Sequence, residues 1–249
     1  LGGPDSFGLG GFFQTPVEKA LPVYMDLRGK REIPSLGLVL VLDKSGSMAQ
    51  EKMALAKEAA LRTVELLREK DTVGVLAFDS TPWWVVNPQP LTDKEQFGEQ
   101  IRGIQASGGT DIYPALEEAY EKLAAIDAQR KHIILLTDGH SSGGGAYSEL
   151  AARMKVNGIT VSTVAIGDGA DTQLLETIAR LSDGRYYFTN DMTTVPAIFS
   201  REAILMSRTY VVEDPFVPAL AQGPDWLELL GGSLPIIDRK STRLNSSHL

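Results

Sequence analysis

A chain of 249 residues with 43% apolar side chains is long enough for one sizeable α/β domain plus flanking pieces, and too apolar to be disordered. Its net charge of −8 argues against nucleic-acid binding, and no dense Lys/Arg run offers a patch for an anionic membrane surface. It has no cysteine, which removes disulfides, thiolate metal sites and cysteine nucleophiles, and apolar runs such as 38–42 and 133–136 are far too short to cross a bilayer.

Strands and helices alternate from about residue 35. Residues 36–42 (LGLVLVL) are almost wholly apolar, as a strand buried on both faces should be. Helical spacing of Leu55, Ala59, Ala60, Thr63, Leu66 and Leu67 predicts a helix over 53–67. A second strand is expected at 72–78 and a short one at 83–86, bracketed by Pro82 and Pro88, which suits a sheet edge. Helices follow at 93–103 and 114–126, then a buried strand at 131–137 and a helix at 147–157. The pattern closes with a strand at 159–166, a helix at 171–181, a short strand at 186–189 and a last helix at 194–206. Buried strands joined by helices predict a doubly wound, mostly parallel sheet with helices on both faces and one short antiparallel edge strand. Ligands of such sheets bind beyond the carboxyl ends of the strands, where strand order reverses.

Three segments fall at that edge. The first strand runs into Asp43-Lys44-Ser45-Gly46-Ser47, the strand at 131–137 into Asp138-Gly139, and Gly108-Gly109-Thr110-Asp111 precedes a helix. Together they offer carboxylates and hydroxyls without imidazole or sulfur. Such hard oxygen donors select Mg²⁺, Mn²⁺ or Ca²⁺ over zinc or copper. Residues two apart in an extended turn point the same way, so Ser45 and Ser47 can face one ion, with Gly46 allowing the tight bend. Asp111 is expected to cap the helix after Thr110. Asp-x-Ser-x-Ser alone would be weak evidence, because Ser and Asp are common in caps and turns; Thr110 and Asp138 in register make it strong.

This constellation resembles the metal-ion-dependent adhesion site of von Willebrand factor A-type domains. The resemblance spans roughly residues 35–208 and rests on Asp43, Ser45, Ser47, Thr110 and Asp138. It implies that Ser45 and Ser47 bind a metal through their hydroxyls, that Thr110 joins them when a ligand is engaged, and that Asp43 and Asp138 act directly or through water. Mg²⁺ is the first expectation, with Mn²⁺ and Ca²⁺ as the other candidates. It further implies a protein-binding module and not an enzyme, in which an open coordination position takes a Glu or Asp carboxylate from a protein partner and the last helix moves on capture. A metal-independent scaffold domain is the alternative.

Other features read as structural. Residues 139–143 (GHSSG) match the G-x-S-x-G pattern of hydrolase nucleophiles, but glycines follow where a helix is required, and the only later histidine is His248. His132, at the start of a buried strand, is expected to be a hydrogen-bonded structural histidine. Residues 167–171 (GDGAD) are expected to form a strand-to-helix turn capped by Asp171, and at least one of Trp83 and Trp84 to be core. The run PDSFGLGGFFQTPVEKALPV within residues 1–34 resembles the end of a class I glutamine amidotransferase-like region found before A domains in large bacterial membrane proteins. It implies a bacterial, membrane-anchored parent. Residues 209–237 are expected to lead into a further domain. Residues 238–249 resemble read-through sequence and are expected to be foreign.

Overall fold

The computed structural model describes residues 35–207, and the expectations for residues 1–34, 209–237 and 238–249 lie outside them. Six strands form one sheet: β1 (Leu36–Asp43), β2 (Thr72–Phe78), β3 (Pro82–Pro90), β4 (Arg130–Thr137), β5 (Ile159–Ile166) and β6 (Tyr186–Thr189). Their spatial order is β3-β2-β1-β4-β5-β6, with β3 alone antiparallel to its neighbour. The helices are α1 (Glu51–Leu66), α2 (Lys94–Arg102), α3 (Ile112–Ala124), α4 (Tyr147–Val156), α5 (Thr172–Leu181) and α6 (Val195–Ser207).

Alternation along β1 explains why the sheet is covered twice. Leu36, Leu38, Leu40 and Leu42 face one way, into a core completed by Ala56 and Ala60 of α1, Phe97 of α2 and Phe199 of α6. Val39 and Val41 face the other way, against Leu116 of α3, Met154 of α4 and Ile178 of α5. Both faces are apolar, so β1 reads as a continuous hydrophobic run. Truncating a fully buried leucine here, such as Leu40, is expected to cost about 2–5 kcal/mol.

The edge strand differs from its expected length. β3 runs nine residues, through Pro88 to Pro90, and the expected stretch 83–86 is only its first half. Proline survives because β3 is at the sheet edge, where its missing N–H costs no ladder bond on the open side. The ladder also slips between Val73 and Leu76 of β2. At the slip, Pro88 packs over Gly74, where a Cβ would stand 2.8 Å from Pro88 Cγ. Of the adjacent tryptophans, Trp83 is exposed, whereas Trp84 packs on the sheet face covered by α3 and donates from Nε1 to Glu118 at 2.9 Å.

The topology places the functional residues. β2 and β3 extend to one side of β1, and β4, β5 and β6 to the other, so strand order reverses between β1 and β4. Asp43 ends β1 and Asp138 follows β4 directly, which puts both carboxylates at the crevice where ligands of doubly wound sheets bind.

Candidate metal centre

The turn after β1 carries the first donors. Asp43 is fully buried; its Oδ1 accepts from Ser45 N at 2.7 Å and its Oδ2 from the Thr137 hydroxyl at 2.6 Å. Both bonds lock the carboxylate at the mouth of the β1–β4 crevice. The backbone then enters a short 3-10 turn (Gly46–Met48), not the extended turn expected. The serines still converge, with Ser45 Oγ 3.0 Å from Ser47 Oγ. Ser47 donates to Asp138 Oδ1 at 2.7 Å. A hydroxyl has one proton, so Ser45 must be the donor to Ser47, and the three oxygens form a chain ending on Asp138.

Two other loops close the site. Gly46 N donates to Gly108 O at 3.0 Å, and Ser107 N to Lys44 O at 2.6 Å, which pins the Gly108 loop to the Asp43 turn. The demanding glycine is Gly108, not Gly46. Gly108 has φ +83° and a Cβ there would meet Asp79 at 2.9 Å, whereas a Cβ on Gly46 would make only ordinary contact. Thr110 comes in from this loop: its Oγ1 lies 3.1 Å from where a Gly139 Cβ would stand, beside Asp138, and is hydrogen-bonded to neither serine. The Thr110 carbonyl is held by Ser142 N at 2.7 Å and Ser142 Oγ at 2.8 Å. All five residues singled out from the sequence therefore meet at one edge, Ser45, Ser47 and Asp138 in direct contact and Asp43 and Thr110 beside them.

Asp111 departs from expectation. It occupies the N-cap position of α3, but its side chain caps nothing. Its Oδ1 accepts from Ser141 Oγ at 3.1 Å, and Ser141 Oγ in turn accepts from Ile112 N at 3.1 Å and from the Tyr147 hydroxyl at 2.9 Å. The cap is relayed through Ser141, whose one donor and two acceptor positions are all engaged in holding the helix start. Asp171 does cap α5 directly, accepting from Leu174 N at 3.0 Å.

Sequence reasoning missed three residues. Thr137, the last residue of β4, fixes Asp43; a hydroxyl closing an apolar run beside Asp138 was its signal. Lys44 forms a close ion pair with Asp79, which burial opposes but which, with the Thr81 N–H, holds the Asp79 carboxyl below its usual range. Lys52, in the first turn of α1, reaches Asp138 Oδ2 at 2.5 Å. No spacing rule announces a lysine nine residues after Asp43 as a neighbour of Asp138.

The donor set fits a hard divalent ion. With metal–oxygen bonds of about 2.0–2.1 Å, adjacent ligands of an octahedral Mg²⁺ stand about 3 Å apart. The spacings of 3.0 Å between the serine oxygens and 2.7 Å from Ser47 to Asp138 are ordinary hydrogen-bond lengths, which bring the three oxygens close enough to share one ion without selecting its size. The lack of nitrogen and sulfur among these donors disfavours zinc. Burial pushes the Asp43 carboxyl above its ordinary range, and nearby Asp138 adds to this, against hydrogen bonds from Thr137 and Ser45. Ionised Asp43 is thus short of positive charge, which a cation would supply. Among the described residues no three or more His, Cys, Asp or Glu side chains gather as metal ligands, so a metal here would rely on hydroxyls.

A six-stranded doubly wound sheet with hydroxyls and carboxylates from three loops at its switch point defines the class. Residues 37–201 match the von Willebrand factor type A domain family, and the chain belongs to that family. It is 34% identical over 160 residues to an uncharacterized protein of Synechocystis sp., covering 62% of this chain and 37% of that protein. It is 30% identical over 189 residues to the calcium-activated chloride channel regulator 1 of Bos taurus, covering 72% of this chain and 20% of that protein. The chain thus spans well under half the length of these curated relatives. Among solved structures, BatB from Bacteroides thetaiotaomicron superposes with TM-score 0.61 at 20% identity, covering 69% of this chain and 98% of that one. Proximal thread matrix protein 1 of the mussel byssus, with zinc in its MIDAS motif, superposes with TM-score 0.60 at 19% identity, covering 74% of this chain and 49% of that one.

Proposed function

We propose that this domain is a divalent-metal-dependent protein-binding module. Ser45 and Ser47 would hold Mg²⁺ through their hydroxyls, with Asp43 and Asp138 supplying charge directly or through water and Thr110 joining when a ligand binds. The ion would supply electrophilic attraction for a Glu or Asp carboxylate of a partner protein. The observation that carries this reading is the oxygen chain Ser45–Ser47–Asp138, with spacings of 3.0 and 2.7 Å at the sheet's switch point. The zinc-occupied MIDAS of the mussel relative supports a metal at this edge of the fold.

The domain is read as a binder, not an enzyme. Ser141, the serine of the hydrolase-like run, is committed to the start of α3, and among the described residues the polar partner of His140 is Asp171, at 3.5 Å. Among the described residues no helix is long and apolar enough to cross a membrane; the membrane anchoring proposed for a larger parent protein rests on the amidotransferase-like resemblance of residues 1–34. The Bacteroides fragilis neighbour, described as an aerotolerance-related membrane protein, is in keeping with that setting.

The test is retention of aspartate- and glutamate-bearing peptides on the immobilised chain, against their asparagine and glutamine counterparts. Selective retention in Mg²⁺ that is lost in EDTA and in Asp43→Ala supports the module. Equal retention with and without EDTA rejects it and favours the scaffold reading, for which the Lys52–Asp138 ion pair, already part-neutralising the site, is the favourable observation.

A further inference from the structure

Lys52 of α1 forms an ion pair with Asp138, which follows β4. Asp138 is tied through Oδ1 to Ser47 and is flanked by the β4 ladder, while Lys52 stands on the exposed side of α1 with 39% of its side chain accessible. The Asp138 side chain is only 1% accessible, so the pair joins a part-exposed cation to a buried carboxylate. Its placement is what matters. The ammonium takes Asp138 Oδ2, the partner oxygen of the one that completes the Ser45–Ser47 chain.

Resting on the metal-binding reading above, we propose that Lys52 is a built-in counter-cation that couples metal binding to capture of the partner's carboxylate. Two carboxylates, Asp43 and Asp138, balance one divalent ion. Lys52 then leaves the loaded edge with one positive charge in excess. Without a ligand, this excess opposes the metal, because two cations compete for the same carboxylate. One incoming carboxylate cancels it. The same lysine that weakens metal binding in the free domain therefore strengthens the dependence of metal binding on an acidic ligand, and by reciprocity the dependence of ligand binding on metal. The accessible stem lets the ammonium swing from Asp138 toward the incoming anion.

Manganese titration of the full chain, followed by the loss of the free-ion paramagnetic resonance signal, tests this in wild type, Lys52→Met and Lys52→Arg. Each is measured in chloride and in acetate of equal ionic strength, acetate being the carboxylate probe. Lys52→Met is expected to bind Mn²⁺ about tenfold more tightly than wild type in chloride, and to gain less from acetate. Lys52→Arg should behave as wild type. Simple loosening of the fold would not raise affinity, so a gain reports charge and not damage. Wild-type or weaker affinity in Lys52→Met, with wild type binding normally, overturns this role and leaves the metal site standing. No Mn²⁺ uptake by wild type overturns both.

Discussion

The domain buries two carboxylate clusters at different levels of its sheet and treats them in opposite ways. At the carboxyl edge, Asp43 is paired with a second acid, and burial holds its carboxyl above the usual range. Toward the other end of β4 and β5, Glu202 of α6 is equally buried yet surrounded by donors: Ser162 at 2.6 Å, Tyr187 at 2.5 Å and Arg185 at 3.3 Å. His132 Nε2 stands 3.3 Å from Glu202 but is not aligned for a hydrogen bond, so the expectation of a fully bonded histidine holds only for Nδ1, 2.6 Å from Thr160. Burial would raise the Glu202 carboxyl, but the His132 ring and the Ser162 and Tyr187 hydroxyls bring it down to about 2. A carboxylate whose charge the protein itself satisfies fastens a helix. On the metal-binding proposal, the one left short of positive charge at a ligand crevice would receive the cation.

The largest separation of the two clusters should come from their deletion. Asp43→Ala is expected to abolish Mg²⁺ binding in calorimetry while the chain stays folded; retained binding would erase the contrast. Glu202→Ala should do the reverse, costing about 1–3 kcal/mol in denaturant unfolding because the Ser162 and Tyr187 hydroxyls lose their acceptor and Arg185 its ion-pair partner, with Mg²⁺ affinity little changed.

Acidification should strike the Glu202 cluster in a defined window. Folding lowers the Glu202 pKa from 4.5 to about 2, so the unfolded chain takes up that proton first, and the stability present above pH 4.5 is lost as pH falls toward 2. Burial also lowers the His132 pKa below 6.5, so its contribution likewise declines as pH falls below that value. Melting temperatures across pH should show the lower arm in wild type and not in Glu202→Gln.

Smaller effects sharpen the picture of the metal edge. Gly108→Ala should cost about 1–3 kcal/mol, since φ +83° and the Asp79 contact both oppose a Cβ, and should weaken metal affinity as the Thr110 loop shifts. Ser141→Ala should cost about 1 kcal/mol through the lost α3 relay and leave metal affinity unchanged.

What could be read from the sequence follows from range. Periodicity placed all six strands and six helices because β1, β4 and β5 are buried on both faces and the helices carry apolar stripes, signals local to each segment. The length of β3 was underestimated because its prolines argue locally against a strand, while the ladder slip and Gly74 that accommodate them belong to β2. Asp111 was misjudged for the same reason: Ser141, thirty residues away, takes over its cap. The ligand candidates were legible as a spaced motif, but Lys52 and the Glu202 cluster arise only from tertiary packing, which no single segment encodes.

Diffraction from crystals of the chain grown with Mn²⁺, recorded at the metal's absorption edge, tests the central claim most directly. The account predicts an anomalous peak within about 2.2 Å of both Ser45 Oγ and Ser47 Oγ and beside Asp138. A fully loaded crystal with its peak elsewhere, and the Ser45–Ser47–Asp138 chain unchanged, would contradict it.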